Sequence, residues 1–422
     1  MSGDMSESRE RRQTAQVIRQ ALSYLGPGFL VTVGFIDPGN WAADLAAGSG
    51  FGYQLLWVVA LSTIVLILWQ HMSAHLGVVK AKCLAEAVHD HIRPVPAALY
   101  GVTAVAACVA TAVAEILGGA TGLSILFHLP LQAGAVLATV FVGSLIFFQR
   151  YRSVEKLIIG FVTAIGLCYL LELILVKPDW ALAAHHLVLP HLGPQSIVVA
   201  VAVLGAVVMP HNLYLHSEVI QSRQWQAASE TATRRLLRFE FLDTLVSMLA
   251  GLAINAAMVI VAAAVFHRHG IHVSELPQAA ETLRPLAGPL ASLLFGIGLL
   301  FAGVSSSVTA GIAGGTVLSG YLGRHTGFDS RSFKWGVALT LVAACAVVLL
   351  VRDVFKALII SQVCLSVQLP FTMLPLFLLT SSRNVMGRYA NGRFENLALA
   401  LTGLPILVLN GLLAWWLIAG RL

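Results

Sequence analysis

Three features of the sequence predict an all-α polytopic membrane protein with eleven transmembrane helices and an inverted five-plus-five repeat. The 422 residues are 58% hydrophobic and only 11% charged, with a mean hydropathy of +0.83, whereas a soluble domain carries about 25% charged residues. Apolar stretches long enough to cross ~30 Å of hydrocarbon recur along the whole chain, so helices rather than a barrel satisfy the backbone. Two of these stretches are interrupted by similar tetrapeptides, DPGN at 37–40 and MPHN at 209–212.

The elements follow in order. Residues 1–20, MSGDMSESRERRQTAQVIRQ, form a polar N-terminal tail. The apolar segment after it is too long and too interrupted for a cleaved signal peptide, so the first span is retained. The expected spans are 23–47, 52–77, 96–127, 131–149, 155–176, 194–218, 239–266, 287–322, 334–351, 355–380 and 396–420. Loops between them are too short for a soluble domain. Residues 21–422 are therefore one transmembrane domain, with repeat one at about 21–176, repeat two at about 194–380 and an additional helix at about 396–420.

Lys and Arg set the orientation. Alternate connections hold Lys80, Lys82 and Arg93; Arg150, Arg152 and Lys156; Arg223, Arg234, Arg235 and Arg238; Arg324, Arg331 and Lys334; and Arg383, Arg388 and Arg393. The opposite loops hold only Lys177, then Arg268 and Arg284, then Arg352 and Lys356. The expectation is a cell (inner or plasma) membrane protein with a cytoplasmic amino terminus and Leu422 outside. This bias accounts for the net charge of +6 and the pI near 9.2, so basicity gives no reason to invoke nucleic acid. Cys83, Cys108, Cys168, Cys345 and Cys364 are scattered singly with no CxxC pair, so neither a disulfide framework nor a thiolate metal site is expected.

The two tetrapeptides lie in spans one and six, and the odd spacing of five reverses their orientation. Paired interruptions in corresponding spans of inverted repeats are the best sequence pointer to a transporter's central site. Pro210 has no N–H for the carbonyl of Ala206, and Pro38 has none for that of Gly34. A carbonyl without a donor at membrane depth is costly unless something else binds it. A cation can, and the negative end of each first half-helix also favours one. Asp37 adds a hard anionic oxygen, Asn40 a neutral carbonyl oxygen and Met209 a soft thioether sulfur. Sulfur gives nothing to Mg²⁺ or Ca²⁺, whereas Mn²⁺, Fe²⁺, Co²⁺ and Cd²⁺ tolerate or prefer it.

Plainer readings compete. A Pro-Gly pair can be a simple kink, but a membrane Asp costs about 2.5–3.5 kcal/mol on insertion scales and is functional by default. A methionine in an apolar run is more often filler than ligand; its place beside a Pro-freed carbonyl reverses that here. His216 reads first as a structural histidine.

At these residues the sequence resembles the Nramp family of divalent transition-metal transporters, the natural-resistance-associated macrophage proteins and their bacterial manganese-transporter relatives. GPGFLVTVGFIDPGNWAADLAAGSGFGYQLLWVV resembles the family's first two helices, MPHNLYLHSEVIQSR its sixth, FLDTLVSMLAGLAINAAMVIVAAAVFH its seventh and SQVCLSVQLPFTMLPLFLLTSSRNVMG its tenth. The resemblance implies a LeuT-type fold and proton-coupled import of Mn²⁺ or Fe²⁺, with Cd²⁺ and Co²⁺ as further substrates. It places metal ligands at Asp37, Asn40, Met209 and the Ala206 carbonyl, with Gln362 enclosing the metal and Gln368 as the second match. It places proton movement on Glu115 and His211, and aligns Gln70 with a family glutamine in the second helix; Asp37 joins the proton pathway because a dication beside it displaces any proton it holds. It implies no permanently bound cofactor and no obligate protein partner: the partners are metal ions, protons and the bilayer.

Two departures stand out. Ala112 occupies the position where the family commonly has an Asp three residues before its third-helix Glu, and RSFKWGVALTLVAACAVV lacks the ninth helix's basic pair. Both concern the proton route rather than the metal ligands. A metal uniporter is therefore the nearest alternative, and an organic-solute transporter of the same fold, which has no need of Met209, comes next. An intramembrane metalloenzyme lacks an HExxH helix, and His211 and His216, five apart, do not share a helical face. No enzymatic activity is expected.

Overall fold

The computed structural model describes residues 37–148, 176–222, 230–277, 289–324 and 326–419, with isolated positions 167, 173 and 174. The N-terminal tail, the part of span one before Asp37 (Gly34 included), and nearly all of span five lie outside the described residues.

The described chain is helical. It runs α1 (Pro38–Phe51), α2 (Leu56–Lys80), α3 (Leu84–His91), α4 (Pro94–Phe127), α5 (Leu131–Phe148), α6 (Trp180–Val188), α7 (Ile197–Val208), α8 (Pro210–Ser222), α9 (Glu230–Val265), α10 (Pro289–Tyr321), α11 (Arg331–Leu350), α12 (Val354–Ser381), α13 (Arg383–Met386) and α14 (Arg393–Ile418). Ten of the eleven expected spans are represented among these residues, span one only by its second half, and the seventh begins earlier than expected, at Glu230. Three short helices, α3, α6 and α13, fall where only loops were expected.

Local chemistry sets the ends. Proline, whose missing N–H costs nothing at a helix start, opens α1, α4 and α8. The side chains of Ser330 and Asp353 cap α11 and α12 by accepting from Phe333 N at 3.2 Å and Lys356 N at 2.9 Å. Gly52, at φ +60°, closes α1.

The broken pair α7–α8 is the centre of the bundle. Of its most apolar stretch 89% is buried, against 17% for α14, which therefore lies at the periphery. α4 packs most extensively on α10, α7 on α12, and α1 on α9. α2 is tied to α9 by His71, whose Nδ1 lies 2.5 Å from Glu240 Oε2, while Thr244 Oγ1 donates to Glu240 Oε1 at 2.8 Å. Inside α12, Pro370 withholds the N–H owed to the Ser366 carbonyl, and the Asn410 amide of α14 donates to that carbonyl at 3.0 Å. The molecule thus repairs one proline fault with a side chain from a neighbouring helix.

Candidate metal centre

Asp37 precedes Pro38 and caps α1: its carboxylate accepts from Asn40 N at 2.5 Å and its carbonyl from Trp41 N at 2.9 Å. Asp37 and Asn40 are fully buried, and Asp37 Oδ2 has no hydrogen-bond partner among the described residues. The proline ring sits in a notch on α4 that only glycine leaves open, since a Cβ on Gly118 would lie 2.0 Å from both Pro38 Cβ and Cγ. The capped start of α1 is thereby held against α4.

The second break is sharper. Met209 adopts φ +38°, ψ 102° between α7 and α8, a conformation that costs a non-glycine residue about 1–3 kcal/mol and persists only where surrounding structure enforces it. Here Met209 N donates to Gly205 O at 3.1 Å, and Met209 O accepts from Asn212 N at 3.2 Å. The thioether is buried, with the Asn212 amide 3.5 Å from its sulfur.

Gln362 of α12 joins the two breaks. Its side chain covers the first: a Cβ on Gly39 would stand 1.8 Å from Gln362 Nε2. Its backbone abuts the second: a Cβ on Gly205 would stand 2.0 Å from Gln362 O. The residue is fully buried, and its Oε1 has no hydrogen-bond partner among the described residues, while Nε2 donates to Ser361 Oγ at 3.1 Å. Gln362 thus packs beside Gly39, between Asp37 and Asn40, and beside Gly205, which precedes Ala206 and Met209, where α1, α7 and α12 pack on one another.

α4 supplies the next layer. Glu115 is fully buried, faces the Asp37 carboxyl closely enough for the two to interact, and has no geometric hydrogen bond on either oxygen among the described residues. One turn earlier Thr111 Oγ1 lies 3.1 Å from His211 Nδ1, leaving His211 Nε2 without a partner among those residues. Ala112 is buried on the same helix and offers no titratable group.

The other singled-out residues sit elsewhere. Gln70 Oε1 lies 3.0 Å from His216 Nδ1, a pairing that ties α2 to α8. Gln368 donates to Thr103 Oγ1 at 3.3 Å and accepts from Thr372 Oγ1 at 2.9 Å, so it is turned to α4 rather than to the breaks. Sequence reasoning passed over three polar residues. Asp44, fully buried, has both oxygens without hydrogen-bond partners among the described residues; it lies two turns after Asp37 on the same helical face, and the insertion cost that marked Asp37 would have marked it. Asn212 was visible as the last letter of MPHN, but its reach to the sulfur was not. Thr111 had no sequence signal.

Comparisons with known proteins identify the family. The sequence model described as "Natural resistance-associated macrophage protein-like" (Nramp) matches residues 28–416. A protein of Caldanaerobacter subterraneus subsp. tengcongensis named divalent metal cation transporter MntH is 37% identical over 419 residues, covering 99% of this chain and 98% of its own. Among solved structures, the manganese transporter of Eremococcus coleocola superposes with a TM-score of 0.79 at 26% identity, over 93% of this chain and 86% of that one. The nucleobase-cation-symport-1 family transporter Mhp1 superposes at 0.62 with 13% identity, over 93% of this chain and 92% of its own, a likeness of fold alone that agrees with the expected LeuT-type architecture. The chain therefore belongs to the Nramp family.

Proposed function

We propose that this chain is a secondary active transporter importing divalent transition-metal ions, Mn²⁺ and Fe²⁺ with Cd²⁺ and Co²⁺, coupled to protons by alternating access. The observation that supports the reading is the packing of both helix breaks on Gln362; on this reading one carboxylate, two amide side chains, one thioether and the Pro210-freed carbonyl of Ala206 share a single ion. Where Asn410 repairs the fault at Pro370, the cation itself serves that purpose at Pro210. The names of the relatives, a divalent metal cation transporter and a manganese transporter, point the same way.

In this mechanism the ion enters from outside and exchanges most of its water for Asp37, Asn40, the Ala206 carbonyl, Met209 and Gln362. Binding displaces any proton on Asp37, because ligands must be deprotonated to coordinate. Glu115 stands next to receive it, and His211, with a free Nε2 among the described residues, is the second relay. One bundle of helices then rocks on the other to release the ion inward. If two metal charges and one proton cross the field, a 100 mV potential supplies about 7 kcal/mol at ~2.3 kcal/mol per charge. The cell membrane, a cytoplasmic amino terminus and an external Leu422 belong to the same proposal.

Uptake of Mn²⁺ by proteoliposomes in competition with Mg²⁺ and Ca²⁺ tests it: wild type ignores millimolar-scale Mg²⁺, and unselective uptake would contradict the reading. Ala112 favours one second reading, a metal uniporter. Luminal pH recorded with and without Mn²⁺ separates the two, since metal-stimulated acidification belongs to coupling alone.

A further inference from the structure

A second group of metal-ligating side chains lies away from the helix breaks. Cys83 of the α2–α3 turn, Glu86 of α3 and Glu218 of α8 bring a thiol sulfur and two carboxylate oxygens within 4.8 Å of one another. No sequence motif marks it, since a rule built on paired cysteines cannot see a lone Cys joined to a Glu 135 positions away. Between Met209 and Glu218 α8 rises by ~13 Å at ~1.5 Å per residue, so this group is distinct from the central one.

The packing that assembles it is specific. Leu84 N donates to Ser217 Oγ at 3.0 Å and docks the start of α3 on α8. Glu86 folds back to accept from Cys83 N at 2.9 Å and takes a further bond from Gln221 Nε2 at 3.1 Å, while Thr326 Oγ1 reaches its other oxygen at 3.4 Å. Gly320 of α10 presses on the same turn, since a Cβ there would stand 2.9 Å from Glu86 N. Cys83 is fully buried. Glu218 is only 9% exposed, and its Oε2 has no hydrogen-bond partner among the described residues.

Two carboxyls and a thiol turned inward together, with no cation paired to either carboxyl among the described residues, are an unfavourable arrangement on their own; the nearby Lys82 pairs with Asp90 instead. A divalent ion reverses this balance by favouring thiolate and carboxylates alike. We propose that Cys83, Glu86 and Glu218 form a second metal site, which takes a thiophilic divalent cation of the Zn²⁺ or Cd²⁺ class and leaves one coordination position to water. Zinc-type ligands lie ~2.0–2.3 Å from the ion, so donors already within 4.8 Å of one another need only side-chain adjustment. Binding breaks the Cys83 S–H bond, forms S–metal, and passes the proton to solvent. An ion there pins the end of α8, the second half of a broken helix, to α3.

Titration of the detergent-solubilised full chain with Cd²⁺, followed by thiolate-to-metal charge-transfer absorbance, tests the site. A saturable band is expected, absent in Cys83→Ser, displaced to at least ~10-fold higher Cd²⁺ in the isosteric Glu218→Gln, and unchanged in Met209→Ala, whose thioether gives no such band. No band at saturating Cd²⁺, a band retained in Cys83→Ser, or an unmoved midpoint in Glu218→Gln would overturn it. Because Met209→Ala alters only the central pocket, failure of one site is distinguishable from failure of the other.

Discussion

Met209 is held with its backbone at a positive φ and its sulfur beside the Asn212 amide, a costly placement that mere core filling does not require. Its removal should leave the oxygen donors in place and erase the preference for softer ions. Met209→Ala is therefore expected to retain Mn²⁺ uptake while losing at least ~10-fold of its selectivity over Mg²⁺, about 1.4 kcal/mol, read by competition in proteoliposomes. Thr111→Val strips the one hydrogen bond that the buried His211 ring makes among the described residues; an unsatisfied buried polar group costs about 1–3 kcal/mol, so a lower melting temperature and slower metal-driven proton entry are expected, with Mn²⁺ affinity unchanged. At this scale the sequence was informative wherever an energetic fault was visible in one dimension. A membrane aspartate, a proline that frees a carbonyl and a sulfur beside it are such faults. Gln362 could be nominated only by resemblance, because its two contacts join residues on three helices. Asp44 was legible and overlooked.

Glycines decide how the elements meet, and three of them separate the site's geometry from its stability. A methyl group at Gly205 collides with the Gln362 backbone and one at Gly118 with the Pro38 ring, neither of which can turn aside. Gly205→Ala and Gly118→Ala should each cost about 1–3 kcal/mol as overpacking, seen as a fall in thermal stability in detergent. At Gly39 the obstacle is the Gln362 side-chain amide, which can swing away. Gly39→Ala should keep its melting temperature and lose Mn²⁺ affinity by calorimetry, and equal damage to both would contradict the assignment. Long apolar runs made the spans readable as elements. The short helices α3, α6 and α13 were not, because four to nine residues carry too few turns to leave a hydrophobic period.

Across the whole molecule, the deeply buried α7–α8 pair and the peripheral α14 imply that the site is built by the two repeats, with α14 as a buttress through Asn410 and through Thr402, which accepts from Trp69 Nε1 at 3.1 Å. Asn410→Ala should lower stability by the ~1–3 kcal/mol of an unpaired buried carbonyl without altering metal selectivity. Composition and the two tetrapeptides were enough to anticipate the all-helical membrane architecture, since lipid forces every span to satisfy its own backbone; which helices touch at the centre was written in contacts too distant along the chain to see. The claim on which all else rests is that the two breaks together offer one ion a mixed shell of oxygen and sulfur. X-ray absorption at the manganese edge, on Mn²⁺-loaded protein carrying Cys83→Ser to silence the second site, measures that shell directly. One sulfur among oxygens, lost on adding Met209→Ala, is the expected result; an all-oxygen shell, or a sulfur that survives the substitution, would contradict it.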